Sequence, residues 1–236
     1  MTSIEIYKAG LGLNLKRFFE KYESSMKELI DNLDSDGFLL KSFSEKQIDR
    51  LQILINNSNM ALKLKKDFYS ILDPNNEDMT KKKLSLLREV FNADDYRIGQ
   101  HMHVILTNTY IAFLERLKIF FLVFIDWDKL GKPHKKIFGL GHAVNFLSSK
   151  YDSNKYLNYF SIDLRNALTH YTFSWKHGDG GKLYLYSEIF DENPKEMSLV
   201  EFMRELNEVN VLTEGFYMML RDKYGLPVIN LEKMEK

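Results

Sequence analysis

Residues 110–127 read Tyr-Ile-Ala-Phe-Leu-Glu-Arg-Leu-Lys-Ile-Phe-Phe-Leu-Val-Phe-Ile-Asp-Trp, and this stretch decides the fold class. Apolar residues cover nearly every side of a helix drawn through it, which is typical of a central helix with neighbours all round. Upstream, Asp94 and Asp95 can cap the helix, and Gly131-Lys-Pro133 ends it. The longest apolar run, Ile119 to Ile125, has seven residues, whereas a membrane span needs about 20. The stretch therefore predicts the core helix of a soluble helical bundle.

The segments before this helix also carry apolar residues at helical spacing. One apolar face predicts a first helix that stops near Asp36-Gly37. That face comprises Leu15, Phe18, Phe19, Tyr22, Met26, Leu29, Ile30 and Leu33. A second helix is predicted over residues 44–72, with Ser42 and Glu45 as its capping box, and a short third one over residues 81–91.

The segments after the central helix predict two more helices, over residues 138–149 and 154–173. Residues 182–187 then alternate at strand period after the turn-rich residues 177–181, which predicts a hairpin with residues 171–176. A last helix is predicted from Ser198 to about Lys223. The expected fold is an all-α bundle with a small β-hairpin before its last helix.

The expected organisation has three parts packed as one compact unit. Residues 1–43 form an N-terminal helix and turn, residues 44–175 the helical bundle, and residues 176–236 the hairpin and an acidic C-terminal helix. Acidic residues outnumber basic ones by eleven to six from Ser187 to the end, although the whole chain has 33 of each. This balance excludes a polycation that coats nucleic acid through bulk charge.

Several common sites are disfavoured by the sequence. The chain has no Cys, which excludes disulfides, thiolate metal sites and a cysteine nucleophile. Asn32 to Gly37 resembles half of a calcium loop, but Phe43 stands where the bidentate Glu is needed, so we expect a helix-ending turn. His101 and His103 would point apart on a helix, and no metal site is expected. No signal-peptide pattern follows Met1, and we expect a cytoplasmic protein without a membrane partner.

The segment Ser161 to Tyr171 separates into an apolar and a polar face on a helical wheel. Leu157, Phe160, Leu164, Leu168 and Tyr171 form the apolar stripe, which predicts core. The polar ridge on the opposite side carries Tyr159, Asp163, Asn166 and His170, with Arg165 at its edge. Such a ridge is ordinarily a solvated surface. An imidazole, a guanidinium and a carboxamide within two turns can, however, act on a phosphodiester without a metal.

Arg165-Asn166-Ala-Leu-Thr-His170 resembles the Arg-Asn-x-x-x-His form of the motif of HEPN domains, helical domains of higher eukaryotes and prokaryotes. Composition alone produces this form about once in a hundred chains of this length. The resemblance covers residues 44–175 and implies a HEPN-like helical bundle. It leaves the N-terminal helix and the acidic C-terminal part unexplained.

The resemblance implies a metal-independent endoribonuclease that acts as a toxin or antiviral defence effector, needs no cofactor, and forms a homodimer in which two motifs meet in one cleft. His170 would be the general acid or base, Arg165 would stabilise the phosphorane, and Asn166 would position the phosphate or His170. Asp163 is a candidate orienter of His170 or Arg165. An antitoxin or sensor protein is the expected further partner.

Two features qualify the resemblance. Thr172 stands where members regulated by nucleotide addition have a Tyr, so that regulation is not expected, and the hairpin and last helix are additions to a minimal HEPN bundle. The alternative functions are a noncatalytic HEPN-like protein or nucleotide-binding module, and a helical interaction protein with ordinary surface groups at Arg165 and His170. Basic residues of two segments are candidate RNA contacts, or else solvated helix surface: Lys63, Lys65, Lys66, Lys81, Lys82 and Lys83.

Overall fold

The chain is mostly helical and carries a small three-stranded antiparallel sheet. The computed structural model describes residues 2–49, 51–53, 56, 81–82, 85, 89, 95–131, 139–152, 154–170, 172–176, 182–186 and 193–226. The helices with described bounds are α1 (Ser3–Gly10), α2 (Leu13–Ser35), α3 (Asp95–Phe124), α4 (Leu140–Lys150), α5 (Lys155–Tyr159), α6 (Ile162–Thr169) and α7 (Leu199–Tyr224). The strands are β1 (Phe173–Lys176), β2 (Lys182–Leu185) and β3 (Lys195–Ser198).

The chain divides into two compact units, each built from separate stretches of sequence. The first unit comprises Met1–Asn56, Phe113–Ile162 and Glu205–Lys236, and the second comprises Asn57–Ala112 and Asp163–Arg204. The division predicted from the sequence, with boundaries after residues 43 and 175, stays a prediction. Among the helices that the structure describes, none combines the length and the apolar character needed to cross a lipid bilayer.

The first unit is organised around α2, whose predicted apolar face is buried from Phe19 to Leu33, whereas Leu15 and Phe18 are half-buried. The helix ends where expected: Gly37 has a φ of 73°, and the N–H of Phe38 donates to the Leu33 carbonyl oxygen at 2.7 Å. This is the Schellman end, in which a glycine adopts the left-handed conformation. The chain then forms a short bridge between Leu39 and Ile125, directly after α3. The predicted helix-ending turn is therefore confirmed.

Two buried polar side chains of the first unit, those of Asn154 and Arg116, form several hydrogen bonds. Asn154 caps α5: its Oδ1 accepts from the Leu157 N–H at 3.2 Å, and its Nδ2 donates to the Ser25 carbonyl oxygen at 2.7 Å. The buried Arg116 of α3 pairs with Glu214 and donates to Asn210 Oδ1 at 3.0 Å. These bonds offset the cost of burying polar groups.

The second unit contains the sheet, in the order β1-β2-β3 with antiparallel pairing throughout. One face of the sheet contacts α3 and the start of α7. The Trp175 ring stacks on the His103 imidazole with 4.0 Å between ring centroids, and its edge meets Phe202 at 5.4 Å. Burial of these aromatic groups fixes the sheet against the helices of this unit.

Four expectations about these elements need correction. The predicted hairpin of β1 and β2 is confirmed, but β3 makes it a three-stranded sheet. The helix predicted over residues 154–173 is interrupted at Phe160, whose ψ of 114° is extended, and it ends at Thr169. The capping box near residue 44 pairs Ser44 with Gln47, not Ser42 with Glu45. Helix α1 was not expected at all. Of the predicted helix 44–72, residues 45–49, 51–53 and 56 are helical, and its remainder lies outside the described residues.

Candidate functional site

Helix α6 carries the Arg-Asn-x-x-x-His motif. Its apolar side is buried through Leu164, Ala167 and Leu168, and its polar side leaves Asp163 exposed. The sequence analysis placed Tyr159 on the same polar ridge, which assumed an uninterrupted helix. Tyr159 instead belongs to α5, before the break at Phe160, and its hydroxyl donates to Glu208 at 2.8 Å. Asp163, Asn166 and His170 keep the spacing i, i+3 and i+7.

The end of α6 holds His170 in a defined position. The His170 N–H still donates to the Asn166 carbonyl oxygen at 2.8 Å, so helical bonding reaches this residue. The Thr172 N–H donates to the Ala167 carbonyl oxygen at 2.9 Å, five residues back, which is the longer bond of a Schellman end. His170 is therefore anchored by the backbone while its side chain is exposed.

The sheet begins directly after this turn. The Tyr186 N–H donates to the Thr172 carbonyl oxygen at 2.9 Å, which extends the β1–β2 ladder toward the helix end. On the other side of β2, Leu185 is paired with Lys195 of β3. The three strands thus bring Thr172, Tyr186 and Lys195 to the end of the sheet that follows α6.

A cleft of about 650 Å³ lies between the end of α6 and this end of the sheet, within the second unit. From the helix it is lined by Asp163, Leu164, Asn166, Ala167 and His170. From the sheet and the segment before β3 it is lined by Thr172, Leu185, Tyr186, Asn193 and Lys195. The volume falls in the range of about 300–1,000 Å³ that is usual for small-ligand sites.

Arg165 reaches this cleft through Asn166. Its Nη1 donates to Asn166 Oδ1 at 3.2 Å, which leaves the amide group of Asn166 as the link between the guanidinium and the cleft. Arg165 itself is half-buried and is not among the residues that line the cleft. The structure thus brings together Asp163, Asn166 and His170 directly, and Arg165 through a hydrogen bond.

The charged groups of the cleft are available to a ligand. Asp163, His170 and Lys195 are exposed, and none of their side chains forms a hydrogen bond or an ion pair with the residues that the structure describes. An imidazole can take up and release a proton near neutral pH, and a lysine ammonium can bind phosphate oxygens. The cleft therefore combines a proton carrier, a carboxylate and a cation. Within the described part of the chain, no three His, Asp or Glu side chains converge as a metal site would require.

Two of the six candidate RNA contacts belong to the part of the chain that the structure describes. Lys81 and Lys82 are helical and exposed, and neither lines the cleft. Lys63, Lys65, Lys66 and Lys83 lie outside the described residues. Sequence reasoning missed the sheet side of the cleft, namely Tyr186, Asn193 and Lys195. Their only signal was the strand alternation of residues 182–187, which indicated a hairpin but not what it would face.

The chain matches no protein-family model, no curated protein sequence and no solved structure. The function must therefore be argued from the chemistry of the cleft and from the motif on α6.

Proposed function

We propose that this protein is a metal-independent endoribonuclease of the HEPN type, cytoplasmic and homodimeric, and that it serves as a toxin or antiviral defence effector. One observation carries the proposal: His170 and Asn166 line the same cleft, and Arg165 donates to the Asn166 side chain. These are the three residues of the motif that resembles the HEPN pattern.

The proposed reaction uses the 2′-hydroxyl of the RNA as its nucleophile. The 2′-oxygen forms a bond to the adjacent phosphorus, its proton passes to a general base, and the bond from phosphorus to the 5′-oxygen breaks. The leaving 5′-oxygen takes a proton from a general acid. The products are a 2′,3′-cyclic phosphate and a 5′-hydroxyl end, and no oxidant, metal or cofactor enters the balance.

His170 fills one of the two proton-transfer roles. In a homodimer, His170 of the partner subunit fills the other, as the resemblance implies. Arg165 stabilises the charge that develops on the phosphorane. Asn166 accepts a hydrogen bond from the Arg165 guanidinium and orients the phosphate. Asp163 lines the same cleft and is the proposed orienter of His170 or Arg165.

Cleavage of a fluorophore-labelled single-stranded RNA in EDTA tests this proposal. The native protein should cut, whereas His170→Ala should lose at least about 100-fold in rate, because general acid–base catalysis contributes that much. His142→Ala is the matched control. His142 is exposed on α4 in the first unit, so this variant should cut RNA like the native protein. Since His170 is exposed, its loss should change the free energy of unfolding by no more than about 0.5 kcal/mol. Equal cutting by native protein and His170→Ala would refute the proposed role of His170.

A noncatalytic HEPN-like module that binds a nucleotide is the second candidate. It is favoured by the size of the cleft, which suits a small ligand, and by a lining that mixes apolar and polar groups. Nucleotide binding that His170→Ala weakens, without any RNA cleavage by the native protein, would select this function.

A further inference from the structure

We infer that Lys195 of β3 binds the phosphate group of a single-stranded RNA in this cleft. The inference rests on the proposed nuclease function and adds a residue from outside the α6 motif. The sheet side of the cleft would then add a phosphate contact to those that Arg165 and Asn166 of α6 supply.

The position of Lys195 in the sheet is the first argument. Cross-strand partners project to the same face, so Phe173, Leu185 and Lys195 share one face, together with Trp175, Leu183 and Met197. This is the face that packs on α3 and α7, and Leu183 and Leu185 are buried in it. Lys195 is the one charged residue on this apolar face. It stands where the face opens into the cleft beside Leu185.

The pairing of the neighbouring lysine is the second argument. Lys182 projects from the opposite face of the sheet and bonds Glu196 Oε2 at 2.9 Å. Lys195 belongs to the same sheet but has no such acidic partner among the described residues. Its ammonium group is therefore free to bind an anion that enters the cleft.

The charge of the cleft is the third argument. Among the described residues that line the cleft, and apart from His170, Asp163 is the one anion and Lys195 is the one cation. Without Lys195 the lining would present a carboxylate to the RNA, and like charges repel. Lys195 offsets this charge and can hold a phosphate against the sheet while His170 reaches it from the helix.

Binding of a probe that cannot be cut tests this inference separately from catalysis. A fluorescein-labelled 2′-O-methyl oligouridylate lacks the nucleophile, and its affinity is measured by anisotropy in EDTA between about 50 and 200 mM salt. Lys195→Ala should weaken binding about tenfold, and the slope of log affinity against log salt should fall by about 0.7, the effect of one lost phosphate contact with a single strand. Lys195→Arg should bind like the native protein. Lys182→Ala, the matched loss of a lysine on the other face of the sheet, should also leave both affinity and slope unchanged.

Three results would overturn the inference: no binding of the probe by the native protein, an unchanged slope in Lys195→Ala, or an equal loss in Lys182→Ala. The outcome is separable from that of the nuclease proposal. Binding that depends on Lys195, without any cutting of RNA, would keep this inference and refute the nuclease. RNA cleavage that depends on His170, together with probe binding that does not change in Lys195→Ala, would keep the nuclease proposal and refute this inference.

Discussion

Asn166 connects the parts of the proposed site. Its carbonyl oxygen accepts the N–H of His170, and its side-chain oxygen accepts Nη1 of Arg165. The Arg165 carbonyl oxygen in turn accepts the Thr169 hydroxyl at 2.7 Å, which strengthens the last turn of α6. The chemistry of the motif therefore depends on the local geometry of a short helix end.

In the first unit, Gly215 shows how tightly single residues are fitted. A Cβ atom added at this position of α7 would overlap Cε2 of Phe19, a side chain that is itself fully buried. Any side chain here must displace the ring, because buried rings have little space to move.

Gly215→Ala should therefore destabilise the protein by about 1–3 kcal/mol, even though alanine favours helix. Urea unfolding measures the change. Gly10→Ala is the control, since a Cβ at Gly10 meets nothing within 4 Å, and it should be neutral or slightly stabilising. Adding Phe19→Leu should reduce the cost of Gly215→Ala, because the clashing ring atoms are gone. A cost that is the same in both backgrounds would contradict the steric explanation.

At the scale of elements, strongly periodic segments could be predicted from the sequence. The bounds of α2 and α7, the turn at Gly37 and the pairing of β1 with β2 follow from apolar spacing, a glycine stop and strand alternation. These signals are local, so a single sequence carries them.

The elements that could not be predicted lack such local signals. The break at Phe160 was hidden because Leu157, Phe160, Leu164 and Leu168 keep helical spacing across it and all are buried. Strand β3 reads Lys-Glu-Met-Ser and shows no strand pattern; it is specified by its pairing with β2. Lys195 lies on β3 and Asn193 directly before it, so these two of the described lining residues depend on this tertiary contact. Helix α1 buries no residue, so it leaves no apolar stripe to find.

Helix α1 is held by a charge from another element. Asp222 of α7 accepts the N–H of Ser3 at 3.0 Å and of Ile4 at 3.3 Å, at the positive end of the helix dipole. Partial burial acts to raise the pKa of Asp222, but the hydrogen bonds from Ser3 and Ile4 outweigh it and lower the pKa below its ordinary value of 3.8. The stabilisation from this group is thus fully present above pH 3.8 and is lost as the pH falls through the lowered pKa.

Asp222→Asn should therefore lower the free energy of unfolding by about 0.3–1 kcal/mol at neutral pH, the usual range for a charge at a helix terminus. This gap in stability between variant and native protein should close as the pH falls below 3.8. Urea unfolding midpoints across this pH range measure the gap. Asp152→Asn, at an exposed carboxylate of the same unit, should show no gap at any pH. A gap for Asp222→Asn that persists unchanged in acid would contradict the role of its charge.

At the scale of the whole molecule, the proposed chemistry belongs to one of the two units. Every described residue that lines the cleft lies in Asp163–Arg204, in the unit that contains the sheet. The first unit has its own core around α2, with Phe19, Met26 and Leu29 fully buried. Substitutions such as Gly215→Ala and Asp222→Asn thus probe stability, and those at His170 and Lys195 probe function.

In the proposed function, the motif on α6 promotes RNA cleavage by attack of the RNA's own 2′-hydroxyl on the adjacent phosphorus. The most direct test is mass spectrometry of the RNA ends after incubation with the native protein in EDTA, with His170→Ala in parallel. The proposed chemistry predicts a 2′,3′-cyclic phosphate on one fragment and a 5′-hydroxyl on the other, and neither end with His170→Ala. It also predicts that a substrate with 2′-deoxyribose at the cut site stays intact. Fragments that carry a 3′-hydroxyl and a 5′-phosphate, or cutting of the deoxy-substituted substrate, would contradict it.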